Sequence, residues 1–126
     1  MLLSGHEDGL VRKWDVNRGA VLLETALSNI SLRCLRIDAE NDRLFAASSD
    51  QCIYAVTLSD FKALWVFREA SFILDLHMFS SSLVVATRRS YKELPVLMLD
   101  PETGLVCKEI AVLAAILAAI AVRGLC

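Results

Sequence analysis

A segment of about forty residues occurs three times along this chain, at the spacing of a repeat architecture, and the first copy lacks its front part. Leu2 to Val16 lies over Leu44 to Leu58 without a gap, at an offset of 42. A third copy runs from Leu83 to Asp100, at an offset of 39 over Leu83-Val84-Val85-Ala86 and of 43 over Val96-Leu97-Met98-Leu99. The difference marks an insertion inside Thr87 to Pro95. Asp15, Gly19, Val21 and Glu24 recur as Asp100, Gly104, Val106 and Glu109 at an offset of 85, a repeated strand–turn–strand corner. Self-similarity at a fixed period means stacked supersecondary units, each burying its apolar face against the next.

Each unit breaks into short apolar runs separated by turn residues, the signature of strands. In the second, Leu32–Ile37, Leu44–Ala47, Cys52–Leu58 and Phe61–Phe67 are the four expected strands, with polar turns at 38–42 and 48–51. Glu7-Asp8-Gly9 is a tight hairpin in the first, because Gly accepts φ > 0 without penalty. Ile73–Leu76 and Leu83–Ala86 open the third, and His77 falls in the turn after its first strand. Four strands per unit and this period predict an all-β chain, an incomplete β-propeller of four-stranded antiparallel blades over about 1–28, 29–69 and 70–110. A closed ring takes roughly 4–8 blades. The 126 residues hold two full units and parts of two more, so the expectation is a fragment of a larger propeller.

Ser4-Gly5-His6-Glu7-Asp8-Gly9-Leu10-Val11-Arg12-Lys13-Trp14-Asp15 resembles the WD-repeat β-propeller family: an Asp-Gly turn, an apolar-basic strand, then Trp-Asp. In that family a turn Asp, a strand Trp, a strand Ser or Thr and a His from the preceding loop form a buried hydrogen-bonded network. The resemblance gives those roles to Asp8, Trp14 and Ser4, and the turn role in the second unit to Asp50. The matching His would lie upstream of Ser4, so His6, inside the turn, is not assigned to it. The second unit has Ala46 and Val56 at the Ser and Trp positions, and the third has Leu99, so the network is expected in at most one unit. The resemblance implies a non-catalytic scaffold, with no cofactor, that presents loops to protein or peptide partners.

A second resemblance competes. Asp50 to Thr57, Ala63-Leu64-Trp65-Val66-Phe67 and Leu99-Asp100-Pro101-Glu102-Thr103-Gly104 look like repeats of pyrroloquinoline-quinone dehydrogenases. Those enzymes need a vicinal cysteine pair and a calcium-binding set of carboxylates and amides, neither of which this sequence carries. The alternative is therefore a quinoprotein-like propeller in a structural role.

Composition narrows the remaining options. Apolar residues make up 56%, enough for a strand-rich core. A net charge of −2 with mixed signs argues against nucleic acid as a partner. Cys34, Cys52 and Cys107 sit among strand residues as small hydrophobes, and with Cys126 make no Cys-x-x-Cys pair. Reduced thiols and no charged-then-apolar leader lead to an expected cytoplasmic or nuclear setting. His6 and His77 have no second ligand at a metal spacing, so no metal site is expected. The inserted loop is the candidate protein-binding surface: Arg88, Arg89, Tyr91 and Lys92 place three cations and an aromatic within five positions, suited to an acidic or phosphorylated peptide.

The Ala-rich apolar tail, 111–126, breaks the pattern. Ile110 to Val122 is an unbroken apolar run of thirteen with six alanines, and Ala favours a short helix. Such a helix spans ~20 Å, short of a ~30 Å hydrocarbon core, which argues against a membrane span.

Overall fold

Turn residues at the expected places divide the chain into three antiparallel meanders, each with its strands in chain order. The computed structural model describes residues 2–68, 72–90 and 92–110, so Tyr91 and the tail with its expected helix lie outside the described residues. The first sheet contains β1 (Leu2–Gly5), β2 (Leu10–Asp15) and β3 (Ala20–Ala26). The second contains β4 (Leu32–Asp38), β5 (Arg43–Ser48), β6 (Cys52–Thr57) and β7 (Ala63–Arg68). The third contains β8 (Phe72–Phe79), β9 (Ser82–Arg88), β10 (Val96–Leu99) and β11 (Val106–Ile110).

Two strand limits differ from the sequence expectation. Phe61 adopts φ 56 in a turn closed by its amide donating to the Thr57 carbonyl, so β7 begins at Ala63. The Phe61 ring is instead buried at the joint with the first sheet. His77 lies inside β8, opposite Val84, because the reversal is delayed to Ser80 and Ser81, both at positive φ.

The side-chain alternation of a strand puts odd and even residues on opposite faces, and the second sheet uses both. Leu44, Ala46 and Val56 face the first sheet and pack with Val11, Leu32, Leu58 and Phe61. Phe45, Ala47, Ile53 and Ala55 face the third sheet and pack with Ile73, Leu76, Leu83, Val85, Leu97 and Leu99. Each large aliphatic side chain so buried contributes about 1.5–3 kcal/mol. The outermost strands stay wet, and all five residues of β11 are exposed. Cys107, expected as a small buried hydrophobe, is therefore exposed, while Cys52 is buried and Cys34 half-buried.

Hydrogen bonds tie the sheets together at both joints. Between the first and second, Lys13 Nζ donates to the carbonyls of Leu58 (2.5 Å) and Ser59 (2.9 Å) and sits 5.4 Å from the Phe61 ring centroid. The Leu32 amide donates to the His6 carbonyl at 3.1 Å. Between the second and third, Arg36 Nε donates to the Leu76 carbonyl at 2.7 Å, and Trp65 Nε1 donates to the Pro101 carbonyl at 2.9 Å. The Trp65 ring lies so close to Gly104, at φ +75, that a Cβ there would stand 2.6 Å from it. Only glycine fits, for want of space and because its backbone is left-handed.

Register breaks recur at matching positions. The last two strands of each sheet slip between Lys13 and Trp14, between Ala55 and Val56, and between Met98 and Leu99. The first and second strands slip at Leu32/Cys34 and again at Ile73/Asp75. Bulges of this kind add local twist, and their recurrence makes the sheets copies of one another in backbone detail.

Candidate functional site

The β1–β2, β5–β6 and β9–β10 connections, which are the second-to-third-strand connections once the first blade's missing front strand is counted, lie at one end of the molecule, and polar side chains organise each of them. In the first sheet, β1 carries Ser4 and β2 carries Arg12 and Trp14 on one face, two residues apart as alternation requires. Trp14 Nε1 donates to Ser4 Oγ at 2.8 Å, and the Ser4 hydroxyl lies 2.7 Å from His6 Nε2. Arg12 Nη1 approaches both ring nitrogens of His6 at 3.4 Å, while its Nε donates to Glu24 at 2.7 Å. His6, left unassigned from sequence, is thus joined to Ser4. Asp8 is not: its carboxylate accepts only the Leu10 amide, at 3.2 Å, as a turn cap. One residue separates β1 from the turn, and that short reach aims His6 back along the strand.

A polar network of a different kind, without the Trp and His of the family pattern, occupies the second sheet. Asp50 Oδ2 accepts from Tyr54 Oη at 2.7 Å and from Ser28 Oγ at 3.1 Å, and Oδ1 accepts the Cys52 amide at 3.1 Å. Ser48 Oγ donates to Ser28 Oγ at 2.9 Å, and Ser28 Oγ also accepts the Ile30 amide. Partial burial works against the Asp50 charge, but the Tyr54, Ser28 and Ser48 hydroxyls and the Cys52 amide outweigh it and hold the carboxyl below the usual aspartate range. Desolvation, followed by its bond to Asp50, pushes the Tyr54 phenol up to about 12. Arg68 closes the outer side, its Nη1 3.2 Å from Cys52 Sγ.

One sequence signal marked these partners. One position near the end of the strand that enters this connection is polar in every unit: His6 just after β1, Ser48 last in β5 at an offset of 42, and Thr87 next to last in β9, a further 39 along. In the third sheet Thr87 is fully buried and its hydroxyl donates to the Pro95 carbonyl at 2.8 Å. The signal stays hidden when the units are searched for one fixed residue type. What recurs is a donor–acceptor position.

Thr87 anchors the inserted loop. The Arg89 and Ser90 amides both donate to the Glu93 carbonyl, the Glu93 amide donates to Ser90 Oγ, and Leu94 and Pro95 are buried beneath. The expected binding residues therefore part company. Arg89 pairs with Glu109 of β11 at 2.5 Å, whereas the side chains of Arg88 and Lys92 project from the loop, exposed. Tyr91 lies outside the described residues.

Clefts open between the sheets at both ends of the described residues. One, of about 420 Å³, opens beside the Asp50 network between the first and second sheets and includes Asn29, Ile30 and Arg68. The other, of about 470 Å³, opens at the opposite end between the second and third sheets. Among the described residues no group of three or more His, Cys, Asp and Glu side chains is placed to hold a metal ion, and no helix is long and apolar enough to cross a membrane.

No protein-family model matches the sequence, and no curated protein matches it. Solved structures match in fold. BamB from Moraxella catarrhalis superposes with a TM-score of 0.72 at 15% identity, covering 87% of this chain and 32% of its own. The computationally designed Ika8 protein gives a TM-score of 0.72 at 16% identity, over 86% of this chain and 32% of its own. The β-propeller domain of Cps50 (Swd1) from Myceliophteria thermophila gives 0.72 at 13% identity, over 86% and 39%. Identities this low speak to fold alone. The sheets are blades with the β-propeller fold, and the chain spans about a third of the length of the proteins it matches.

Proposed function

We propose that this chain is part of a WD-repeat-type propeller that acts as a non-catalytic scaffold for protein or peptide partners. The observation that carries the reading is the loop-bearing end. There, His6, Ser48 and Thr87 stiffen successive second-to-third-strand connections, and the longest of them projects Arg88 and Lys92. The backbone bonds among Thr87, Arg89, Ser90, Glu93 and Pro95 reduce the entropy lost on binding, and exposed cations suit an acidic or phosphorylated peptide. Affinity capture with the intact protein, compared with Arg88→Ala/Lys92→Ala, tests it. Loss of specific partners supports the loop, and an unchanged partner set removes it.

One contact favours a second reading, the quinoprotein-like propeller in a structural role. The two segments that carry that resemblance meet at the Trp65–Gly104 stack. Titration with pyrroloquinoline quinone separates a binding role from a purely structural one, since saturable quenching of tryptophan emission would require a site for the cofactor.

A further inference from the structure

The end opposite the Arg88 loop has the other sign. Its turns carry Asp15 in the first blade, Asp38, Glu40, Asp42 and Asp60 in the second, and Asp100 and Glu102 in the third, against Arg18, Arg43, Lys62 and the Lys13 ammonium that reaches Leu58 and Ser59. The net charge of −2 is therefore unevenly spread, and this end is more acidic than the whole chain. Within it lies the 470 Å³ cleft between the second and third blades. Its apolar surface is Met78, Pro101 and the Phe79 ring, which is 49% exposed.

Most carboxylates here are already engaged. Asp38 pairs with Arg43 and accepts from Asn41, Asp42 accepts from Ser59, and Asp100 caps the Glu102 amide. Glu40 and Glu102 differ. They stand on the two sides of the cleft, one from each blade, exposed and with no hydrogen-bond or ion-pair partner among the described residues.

We propose that this inter-blade cleft is a docking site for a basic peptide segment of a partner protein, one apolar side chain resting on Phe79 and flanking cations meeting Glu40 and Glu102. A half-exposed aromatic sharing one cleft with two unpaired like charges fits a segment that carries cations beside an apolar residue. The excess negative charge around it raises the local concentration of a basic chain. The site lies beyond the loop reading, at the other end of the blades and with the opposite partner charge.

Calorimetric titration of the intact protein with an amidated Lys-Leu-Lys-Leu-Lys peptide tests it, with Glu-Leu-Glu-Leu-Glu as the charge control. Saturable binding of the basic peptide is expected, weakened about tenfold or more, the equivalent of at least ~1.4 kcal/mol, by Glu40→Lys/Glu102→Lys, and weakened several-fold by Phe79→Ser. Asp15→Lys adds the same kind of charge at the same end but on the first blade, outside the residues lining the cleft, and should change affinity less than about twofold, because a solvated charge that makes no direct contact is largely screened by salt. Arg88→Ala/Lys92→Ala should leave binding intact, which separates this proposal from the loop reading. Thermal melting of each variant confirms the fold. Equal loss on Asp15→Lys, equal binding of the acidic peptide, or no saturable binding would each overturn the cleft.

Discussion

The joint between the first and second blades and the joint between the second and third use matching faces of repeated sheets, yet they are closed by different chemistry. At the first, a lysine crosses from β2 to two carbonyls of the next blade and lies beside an aromatic ring. At the second, Arg36 also reaches a carbonyl, that of Leu76, but the outer fastening is an indole that stacks on a glycine and donates to the carbonyl of Pro101. The geometric demand is common to both: something on the outer half of one blade must reach a turn of its neighbour. A flexible cation meets that demand in almost any turn, because it needs only exposed carbonyls. A rigid ring meets it only where the turn has no Cβ. The second joint is therefore the more exacting, and it should be the more sensitive to small changes.

The largest effects should come from the cores themselves. Phe45→Ala is expected to cost about 3–5 kcal/mol and Leu44→Ala about 2–5 kcal/mol, since these adjacent residues serve opposite joints. Urea unfolding of the two variants measures this, and a cost below ~1 kcal/mol for either would mean that its joint is not packed as described. Next comes the glycine. Gly104→Ala combines a left-handed backbone with overlap against Trp65 and should lose about 2–4 kcal/mol. Gly19→Ala shares the positive φ but meets nothing within 4 Å, so it should lose only about 1–2 kcal/mol. Equal melting temperatures for the pair would show that the Trp65 contact contributes nothing.

Smaller effects sharpen the contrast between the two joining groups. Lys13→Met should cost about 1.5–3 kcal/mol and Trp65→Phe about 1 kcal/mol, because bonds from a charged donor are the stronger ones. The reverse order in thermal scans would make the indole, not the ammonium, the tighter fastening. Smallest of all is the effect of pH on the Asp50–Tyr54 pair, which is largely solvated. Tyr54 keeps its proton more tightly when folded, so its contribution is intact below the ordinary tyrosine value of ~10 and is lost as pH rises towards about 12. Asp50 is held below its ordinary value, so its contribution is present above ~4 and fades as pH falls through the lowered value. Tyr54→Phe should flatten the alkaline limb of a stability–pH profile and also shrink the acid limb, since Tyr54 is one of the donors that lower Asp50, while Asp50→Asn should flatten the acid limb and shrink the alkaline one.

The strands were largely legible because they depend on local order: apolar runs, polar turn clusters such as Asp8-Gly9, and a fixed repeat. His77 and Phe61 were misplaced at strand ends, where one residue in a ladder or out of it depends on which partner carbonyl lies within reach. The polar networks were harder. Ser28 precedes the second blade by several residues and meets Asp50 only after the chain has folded back over 22 positions. The Arg89–Glu109 pair joins a loop to a strand 20 residues on, so nothing local separated Arg89 from Arg88 and Lys92 as free charges.

By itself, the sequence determined the period, the all-β character and the order of strands within each blade, since spacing and turn chemistry act over a few residues. The tertiary structure decided which hydroxyls share a carboxylate, which cations remain free, and that carboxylates from different blades line one cleft at a single end. Those outcomes depend on distances between blades. A repeat fixes what each blade is made of, and packing alone decides what two blades place side by side.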